Sequence, residues 1–522
     1  MTDDDLRPAR IEPTDLGDLA RRFHLTPAAG GADPAGVRVI GASVASSDTA
    51  PGEIFIAVPG ARAHGAAYAS QALAAGAVAV VTDADGAATC AATCAERGVP
   101  VLLTTDPRAL AGPLSAEVYG HPAERMRVRM VTGTNGKTTT SYFLDAIARH
   151  HEGTSAVLGT VELRVGTRTV PSPRTTVEAP VLHRLLALAV EEGVAAASLE
   201  ASSHALALHR VDGIVADVAG FTNLQRDHLD FHGTMEAYLA DKAVLFTPEH
   251  ARHAVVCVDD EWGARLAVST PLPVDRVRAY DGDAEADWTV HDAHIGLDGV
   301  ASTFTLRGPD GEEALASCPL PGRVNVQNAA LAIVMGVRSG VPLEVAVEAV
   351  AGAHEIPGRM QRVGQRGGGR PLAIVDFAHT PEALDLALRA VRPITPGRLI
   401  AVFGSDGDRD QGKRPMLGAV GARLADVLVI TDENPRSEDP ATVRRAVLDG
   451  VREVRGDAMP DVEEAQTRAA AIERAVGLAR EEDTIIITGK GHEPHQEIAG
   501  VFHPYNDVPV LRDALERRWG AL

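Results

Sequence analysis

The stretch "MVTGTNGKTTT", residues 130–140, decides how the rest of the chain is read. A phosphate-binding loop follows the pattern G-x-x-x-x-G-K-[ST], and Gly136, Lys137 and Thr138 satisfy its second half. Its first glycine belongs at position 131, where Val131 stands, while Gly133 lies only three residues before Gly136. The chemistry survives the shift. Gly133 and Gly136 let the backbone turn tightly, so that amide N–H groups face phosphate oxygens at a helix N-terminus. Lys137 then reaches the terminal phosphates, and the Thr138 hydroxyl binds Mg²⁺. The strand-like run "VRMV" before the loop and the helical pattern after it supply the context that ATP binding requires. The bland alternative is a strand–helix turn that carries these letters by chance.

Outside the loop, short apolar runs alternate with Ala- and Leu-rich helical patterns along the whole chain, the signature of an α/β protein. "EIFIAV", "AYASQALAAGA" and "VAVVTD" form a first strand–helix–strand unit. Glycine and proline break the periodicity in "YGHPAERM" (119–126) and in "HEIPGRM" (354–360). The breaks divide the chain into 1–121, 122–356 and 357–522. In the last part "LAIVDFAHT", "RLIAVFGSDGDRD", "DVLVITDENPR" and "TIIITGKGHE" each run from apolar to polar. Such runs suit a parallel sheet covered on both faces, with ligand groups at the strands' C-terminal ends.

The formal net charge of −21 and the lack of a basic run argue against a nucleic-acid or anionic-membrane partner. The four cysteines, Cys90, Cys94, Cys257 and Cys318, are scattered, and "CAATCAERG" reads as an Ala-rich helix before it reads as a metal or redox site. The acidic start "MTDDDLRPAR" is not a signal peptide, and no window approaches the roughly 18 apolar residues of a membrane span. A reduced, soluble, cytoplasmic protein is expected.

Downstream of the loop, Glu200 ends a strand-like run in "SLEASSHAL" and offers the hard oxygen that Mg²⁺ prefers. His228, in "RDHLD", is a less usual Mg²⁺ ligand and, taken alone, more often a structural histidine. Lys242 shares a helical stripe with Met235, Tyr238, Leu239, Leu245 and Phe246. Its amine is either buried, which is costly unless paired or modified, or carried to water on a packed stem.

With these residues in place, the chain resembles the Mur ligase family. "TGTNGKTTT", "EASSHAL", "FTNLQRDHLDFHGTMEAY", "GRVNVQNAALA", "VDFAHTPEAL", "GDRDQGKRPMLG", "DENPRSEDP" and "TGKGHE" stand in that family's order and extend over nearly the whole chain. The shortened loop T-G-T-N-G-K-T is itself the family's form. The resemblance implies three α/β domains: an N-terminal UDP-muramoyl-binding domain, a central P-loop ATPase-like domain with a parallel sheet, and a C-terminal Rossmann-like domain. It implies a monomer whose third domain closes about a hinge near Pro357–Gly358.

The implied reaction uses ATP to phosphorylate the terminal carboxylate of a UDP-N-acetylmuramoyl-dipeptide, and the amine of a diamino acid then displaces phosphate. The product would be a peptidoglycan precursor, tying the chain to cell-wall synthesis, cell shape and division. By resemblance Lys242 is a carbamylated lysine, and Thr138, Glu200, His228 and that carbamate surround the metal. ATP is implied at Gly133, Thr134, Asn135, Gly136, Lys137, Thr138 and Thr139, at Asn325 and Asn328 on the adenine side, and at Arg359, Asp376 and His379. Ser46, Thr175, Thr176, Ser202 and Arg210 match positions that hold the UDP-muramoyl-dipeptide. Taken singly, Asn325 and Asn328 read equally as helix-start caps and Asp376 as a strand-end turn residue.

For the incoming amino acid the resemblance points to Arg409, Glu433, Asn434, Arg436, Gly489 and Glu493. Members that add diaminopimelate carry D-N-P-R. Its far amino acid head calls for a guanidinium and an acid, here Arg436 and Glu493. "SEDPATVRRAV" reads as a helix start with Asp439 as N-cap and Pro440 at the first turn. Four positions depart from the family pattern: Glu433 for aspartate, "GSDGDRD" for G-C-G-G-D-R-D, Val177 for proline and Gln361 for glutamate. They leave room for a paralogue that joins a different amino acid in another pathway. A folylpolyglutamate synthetase shares the ATP chemistry, but "DENPRSEDP" and the first domain argue against it. A nucleotide-binding scaffold without activity would have lost Lys137, Glu200, His228 or Lys242, and all four are present.

Overall fold

The computed structural model describes residues 6–60, 62–296 and 301–521. Its centre is the strand Arg127–Thr132, which runs through the loop 133–136 into the helix Lys137–His151. Side chains alternate across a strand. Accordingly Val128 and Met130 enter one apolar cluster and Val131 the other, on the two faces of one sheet. That sheet has eleven strands. From Ser155–Leu158 through Ala196–Glu200, Arg127–Thr132, Val218–Phe221, Ala254–Cys257 and Val274–Arg278 to Trp288–His294 every pairing is parallel. Antiparallel hairpins close both edges. Glu200 pairs with Val131 and Phe221 with Thr132, so the loop 133–136, the chain after Glu200 and the chain after Phe221 leave the same C-terminal edge.

Residues before this unit form a five-stranded sheet in which Gly41–Ser43, Glu53–Ile56, Ala79–Thr82 and Val101–Leu103 are parallel. Residues after it form a six-stranded sheet. There the four apolar runs expected as strands are Leu372–Val375, Leu399–Phe403, Val427–Ile430 and Thr484–Ile487, all parallel. "YGHPAERM" lies between the helix Pro107–Val118 and the central strand, and "HEIPGRM" between the helix Leu343–Ala351 and the strand Gln361–Gly364. The described chain is therefore a three-domain α/β fold around a parallel-rich central sheet.

Two junctions join the units. Arg184 Nη1 donates to both carboxylate oxygens of Asp48 at 3.0 Å, an ion pair between the first and second. Between the second and third, one apolar cluster continues from Val131 through the helix Arg323–Arg338 to Leu384 and Val391. All four cysteines are buried and free, with Cys90 and Cys94 one turn apart in the helix Ala84–Glu96.

In the third unit the helices Lys413–Leu424 and Pro440–Arg455 meet through glycine. A Cβ on Gly418 would stand 1.9 Å from Val447 O, and one on Gly450 1.8 Å from Pro415 O. Backbone cannot yield there without separating the helices, and these helices fix the loops that precede them. Gly450→Ala is expected to lower the melting temperature by overpacking, a cost of roughly 1–3 kcal/mol, while Gly477→Ala, in the helix Arg468–Leu478 with open space around the glycine, raises it slightly through helix propensity; thermal unfolding of the two variants checks this.

Candidate active site

The loop 133–136 is braced before any ligand arrives. Thr134 N donates to Asn223 O (2.9 Å) and Asn135 N to Asn223 Oδ1 (3.1 Å). The first intrahelical bond is Thr140 N to Gly136 O at 2.9 Å, so the amides at 136–139 are the ones a helix start leaves for an anion. Gly136 has φ +92°, and a Cβ there would lie 2.3 Å from Asn328 Oδ1. Only glycine allows that approach of Asn328. Lys137 Nζ folds back onto Gly133 O and Thr134 O, both at 2.9 Å.

Glu200 lies 1% exposed behind the loop. Its Oε2 accepts from Thr138 Oγ1 (3.0 Å) and Thr160 Oγ1 (2.9 Å), and its Oε1 from Thr160 N (2.8 Å). Four residues expected at the muramoyl-dipeptide gather around it. Thr176 donates to Glu200 O at 2.7 Å and accepts from Ser202 N at 3.0 Å. Arg210 donates to Thr176 O at 3.3 Å, and Thr175 accepts from Thr160 Oγ1 at 3.2 Å. Ser46 stands apart in the first unit, donating to Gln71 Oε1 at 3.0 Å.

The helix Met235–Ala243 places Tyr238, Leu239 and Lys242 inside. Lys242 is 1% exposed, its Nζ 2.8 Å from Gly133 O and 4.6 Å from the centre of the Tyr238 ring. The amine thus ends in the interior and does not reach water. Burial, then the neighbouring Lys137, holds it well below the usual lysine range. His228, in left-handed backbone conformation, has a side chain 45% exposed, and its partial burial with Lys137 and Lys242 nearby holds it below the usual histidine range.

Sequence reasoning missed the hydrogen-bond chain behind these residues. His232 bridges Asp241 Oδ2 (2.6 Å) and Ser203 Oγ (2.9 Å), and Tyr238 OH meets Thr134 Oγ1 at 3.3 Å. It also missed Thr160, whose signal was its place just past the strand Ser155–Leu158. Among the described residues no three His, Cys, Asp or Glu side chains form a metal cage. The hydroxyl of Thr138, the Glu200 carboxylate and neutral His228 are nevertheless donors that fit Mg²⁺, which takes few protein ligands and completes its shell with phosphate oxygens and water.

A cavity of about 320 Å³ lies over the loop, lined by Lys137, Thr138, Thr139, Asn325, Asn328, Arg359, Asp376 and His379. The helix containing both asparagines is capped by Gly322. Asn325 instead donates to Pro321 O (2.7 Å) and accepts from Asn328 (3.3 Å), so the cap reading fails for both. Asp376 does make the strand-end turn, accepting from Ala378 N at 2.8 Å, and it also accepts from Met360 N at 2.8 Å. Arg359 packs over the Phe377 ring (4.5 Å) and donates to Thr138 Oγ1 (3.2 Å).

A second cavity of about 520 Å³ adjoins the first at Asp227, His228 and His379, and is lined further by Asp406, Arg409, Lys413 and Arg436. Of the residues expected at the amino acid, only Arg409 and Arg436 line it. Glu493 and Asn434 are held by Lys490, which donates to Glu493 Oε2 (2.7 Å) and Asn434 Oδ1 (2.9 Å). Glu433 is 3% exposed, close under Gly489. Arg436 Nη1 donates to Glu497 Oε2 at 3.0 Å.

Comparison with known proteins agrees with this geometry. Residues 39–119 match the Mur ligase family catalytic domain, 131–336 the Mur ligase middle domain and 358–491 the Mur ligase glutamate ligase domain. The UDP-N-acetylmuramoyl-L-alanyl-D-glutamate–2,6-diaminopimelate ligase of Streptomyces coelicolor is 43% identical over 98% of this chain and 99% of its own. The UDP-N-acetylmuramyl-tripeptide synthetase of Leifsonia xyli is 46% identical over 98% of each. A solved UDP-N-acetylmuramoyl-L-alanyl-D-glutamate–2,6-diaminopimelate ligase superposes with TM-score 0.66 and 30% identity, covering 97% of this chain and 99% of that one.

The buried carboxyl of Glu433 makes stability depend on pH. Burial, with Asp406 beside it, pushes this acid up to about 8 from an ordinary value of 4.5. Below the lower value both folded and unfolded chains hold the proton. Between the two values only the folded chain holds it, so this group's contribution to stability falls as pH rises. Glu433→Gln, which mimics the protonated form, is expected to match the wild type in melting temperature near about pH 4.5 and to exceed it increasingly toward about pH 8; melting curves across that range check the sign.

Proposed function

The chain belongs to the Mur ligase family, and from that premise we propose that it joins 2,6-diaminopimelate to UDP-N-acetylmuramoyl-L-alanyl-D-glutamate, forming ADP and phosphate, in peptidoglycan precursor synthesis. The observation that carries the reading is the convergence of Lys137, Thr138 and Arg359 on one cavity, with Glu200 bonded to Thr138 behind it, and this cavity adjoins a second lined by Arg409, Lys413 and Arg436. The first suits a nucleotide triphosphate. The second suits an amino acid with charged ends. The relatives of highest coverage carry this activity in their names.

We divide the chain into a UDP-muramoyl-binding domain (1–121), an ATP-binding domain (122–356) and an amino-acid-binding domain (357–522). The amides at 136–139 and Lys137 hold the phosphates of ATP. Asn325 and Asn328 face the adenine side, and Arg359, Asp376 and His379 the nucleotide from the third domain. A carboxylate oxygen of the dipeptide attacks the terminal phosphorus as the bond to ADP breaks. The amine then attacks the acyl carbon, loses a proton, and phosphate leaves with its bonding pair. Thr175, Thr176, Ser202 and Arg210 hold the dipeptide end and Ser46 the uridine. Arg409, Glu433, Asn434, Arg436, Gly489 and Glu493 form the walls and floor of the amino-acid side.

Thr138, Glu200 and His228 would hold Mg²⁺, which when bound screens the repulsion between the carboxylate and the triphosphate. Lys242 suits a carbamate. Its depressed basicity leaves a neutral amine, whose lone pair can add to CO₂ with loss of one proton, and the buried neutral group becomes an anion beside Lys137. No described helix is long and apolar enough to cross a membrane; the cytoplasmic monomer is proposed on the family resemblance alone. Pro357–Gly358 is the proposed hinge.

With Mg²⁺, ATP and UDP-N-acetylmuramoyl-L-alanyl-D-glutamate, ADP release is expected in response to a diaminopimelate isomer and not to L-lysine or L-ornithine. Silence with both isomers would sink the assignment. Lys137→Ala should lower the rate by roughly 10²-fold or more, since it removes a positive charge aimed at the transferring phosphoryl group. Wild-type protein in ¹³C-bicarbonate is expected to show a carbamate resonance that Lys242→Arg lacks.

A further inference from the structure

Thr160 touches two parts of the candidate active site, and the functional reading gives it no part. It follows the strand Ser155–Leu158 and lines the 320 Å³ cavity together with Thr175. Its N–H donates to Glu200 Oε1 (2.8 Å) and its hydroxyl to Glu200 Oε2 (2.9 Å), so one residue grips both carboxylate oxygens. The same hydroxyl lies 3.2 Å from Thr175 Oγ1, placed to donate there as well. A threonine hydroxyl has one proton. The two bonds are therefore alternatives, one to the carboxylate and one to Thr175.

Which alternative holds depends on Glu200 Oε2. That oxygen also accepts from Thr138 at 3.0 Å, so the two hydroxyls together use both of its lone pairs. Oε1 offers no opening, because it faces Thr160 N and a Cβ on Gly159 would stand 2.2 Å from it. A cation shared by Thr138 and Glu200 thus needs a lone pair that one hydroxyl holds. Among the described residues Thr138 Oγ1 donates to nothing else, whereas Thr160 has Thr175 within reach. Thr160 is the one that can turn. Thr175 is also free to receive it: Thr176 beside it already donates to Glu200 O (2.7 Å), but Thr175 Oγ1 donates to no described residue.

Resting on the reading of Glu200 as a metal carboxylate and Thr175 as a dipeptide contact, we propose that Thr160 is a positioning residue that couples the two. With Glu200 Oε2 taken by a cation, the Thr160 hydroxyl turns to Thr175, and Thr175 presents its own proton to the carboxylate end of the dipeptide. With Oε2 free, Thr160 returns to the carboxylate and Thr175 is left unoriented. Only two hydroxyl protons move, and no heavy atom has to leave its place. Coupling of this kind is reciprocal, so a dipeptide held by Thr175 favours the cation at Glu200 by the same factor.

The test is calorimetric titration of UDP-N-acetylmuramoyl-L-alanyl-D-glutamate into protein holding a non-hydrolysable ATP analogue, once with Mg²⁺ and once with EDTA. Mg²⁺ is expected to tighten wild-type binding by roughly tenfold or more, about the worth of one hydrogen bond to a charged group. Thr160→Val keeps the N–H and the shape but loses that part of the gain, and Thr160→Ser keeps it; Thr160→Ala replaces the valine variant if that does not fold. The affinity of Thr160→Val for the Mg²⁺-bound analogue does not fall, because no hydroxyl has to leave Glu200. A valine variant with the full gain overturns the proposal. So does a loss of dipeptide affinity that is equal with and without Mg²⁺, which makes Thr160 a mere brace for Glu200. Wild-type binding that ignores Mg²⁺ overturns the coupling alone, whereas wild-type protein that does not bind the dipeptide overturns the functional reading and the coupling with it.

Discussion

The hydroxyl of Thr138 has one proton to give and a lone pair to offer, and a charged neighbour takes each. It donates to Glu200 Oε2 at 3.0 Å and accepts from Arg359 Nη2 at 3.2 Å. Glu200 comes from the end of one strand of the central sheet, Thr138 from the first turn after the adjacent strand, and Arg359 from the start of the third unit. A shift of any one leaves a buried charge short of a partner, which in a site of low polarity costs more than the bond itself is worth. Arg359 has little freedom to adapt, because it is packed over Phe377 and attracted by Asp376. The phosphate loop, the candidate metal carboxylate and the third unit are therefore placed as one object, and the cavity among them follows from it.

Behind that hydroxyl lies an electrostatic conflict. Lys137 and Lys242 both donate to Gly133 O, at 2.9 and 2.8 Å. Two buried amines at one carbonyl would repel each other if both were protonated, and burial lowers the basicity of both. Glu200 and Asp227 offset part of the charge at Lys137. The remainder is a demand for negative charge, which a triphosphate on one side and a carbamate on the other would meet. Such local conflict is what a minimally frustrated fold concentrates at its working sites. It also explains why Tyr238, with its ring face toward Lys242, is there: the ring gives the cation a partner without adding a second formal charge.

What was legible in the sequence was local. The loop, its strand and helix, the four apolar runs of the third unit and the stripe that buries Lys242 are periodic patterns within a few turns of chain, and each is found where expected. The Asp439 cap before Pro440 is local in the same way, with Asp439 Oδ1 accepting from Ala441 N. The missing parts are pairs that only the topology brings together. Thr160 and Glu200 are 40 residues apart, Ser203 and His232 are 29 apart, and Arg436 and Glu497 are 61 apart. Sequence spacing does not encode which of two nearby acids turns toward an arginine. Glu497 bonds Arg436, while Lys490 donates to the carboxylate of Glu493, three residues after it.

The same distinction settles how much weight the departure at Glu433 can bear. A glutamate where aspartate is usual looks, in sequence, like a change of substrate. In the structure its carboxyl is buried against Gly489, has one oxygen without a partner and lines neither cavity. Burial keeps it protonated at neutral pH, so it adds no charge to the surface that meets the amino acid. Charge on that surface comes from Asp406, Asp410, Lys413, Arg409 and Arg436, with Glu497 one bond behind. An extra methylene in the floor therefore alters how tightly the third unit packs and how it responds to pH. In the proposed function, recognition of the amino acid falls to the walls, which carry these charged groups.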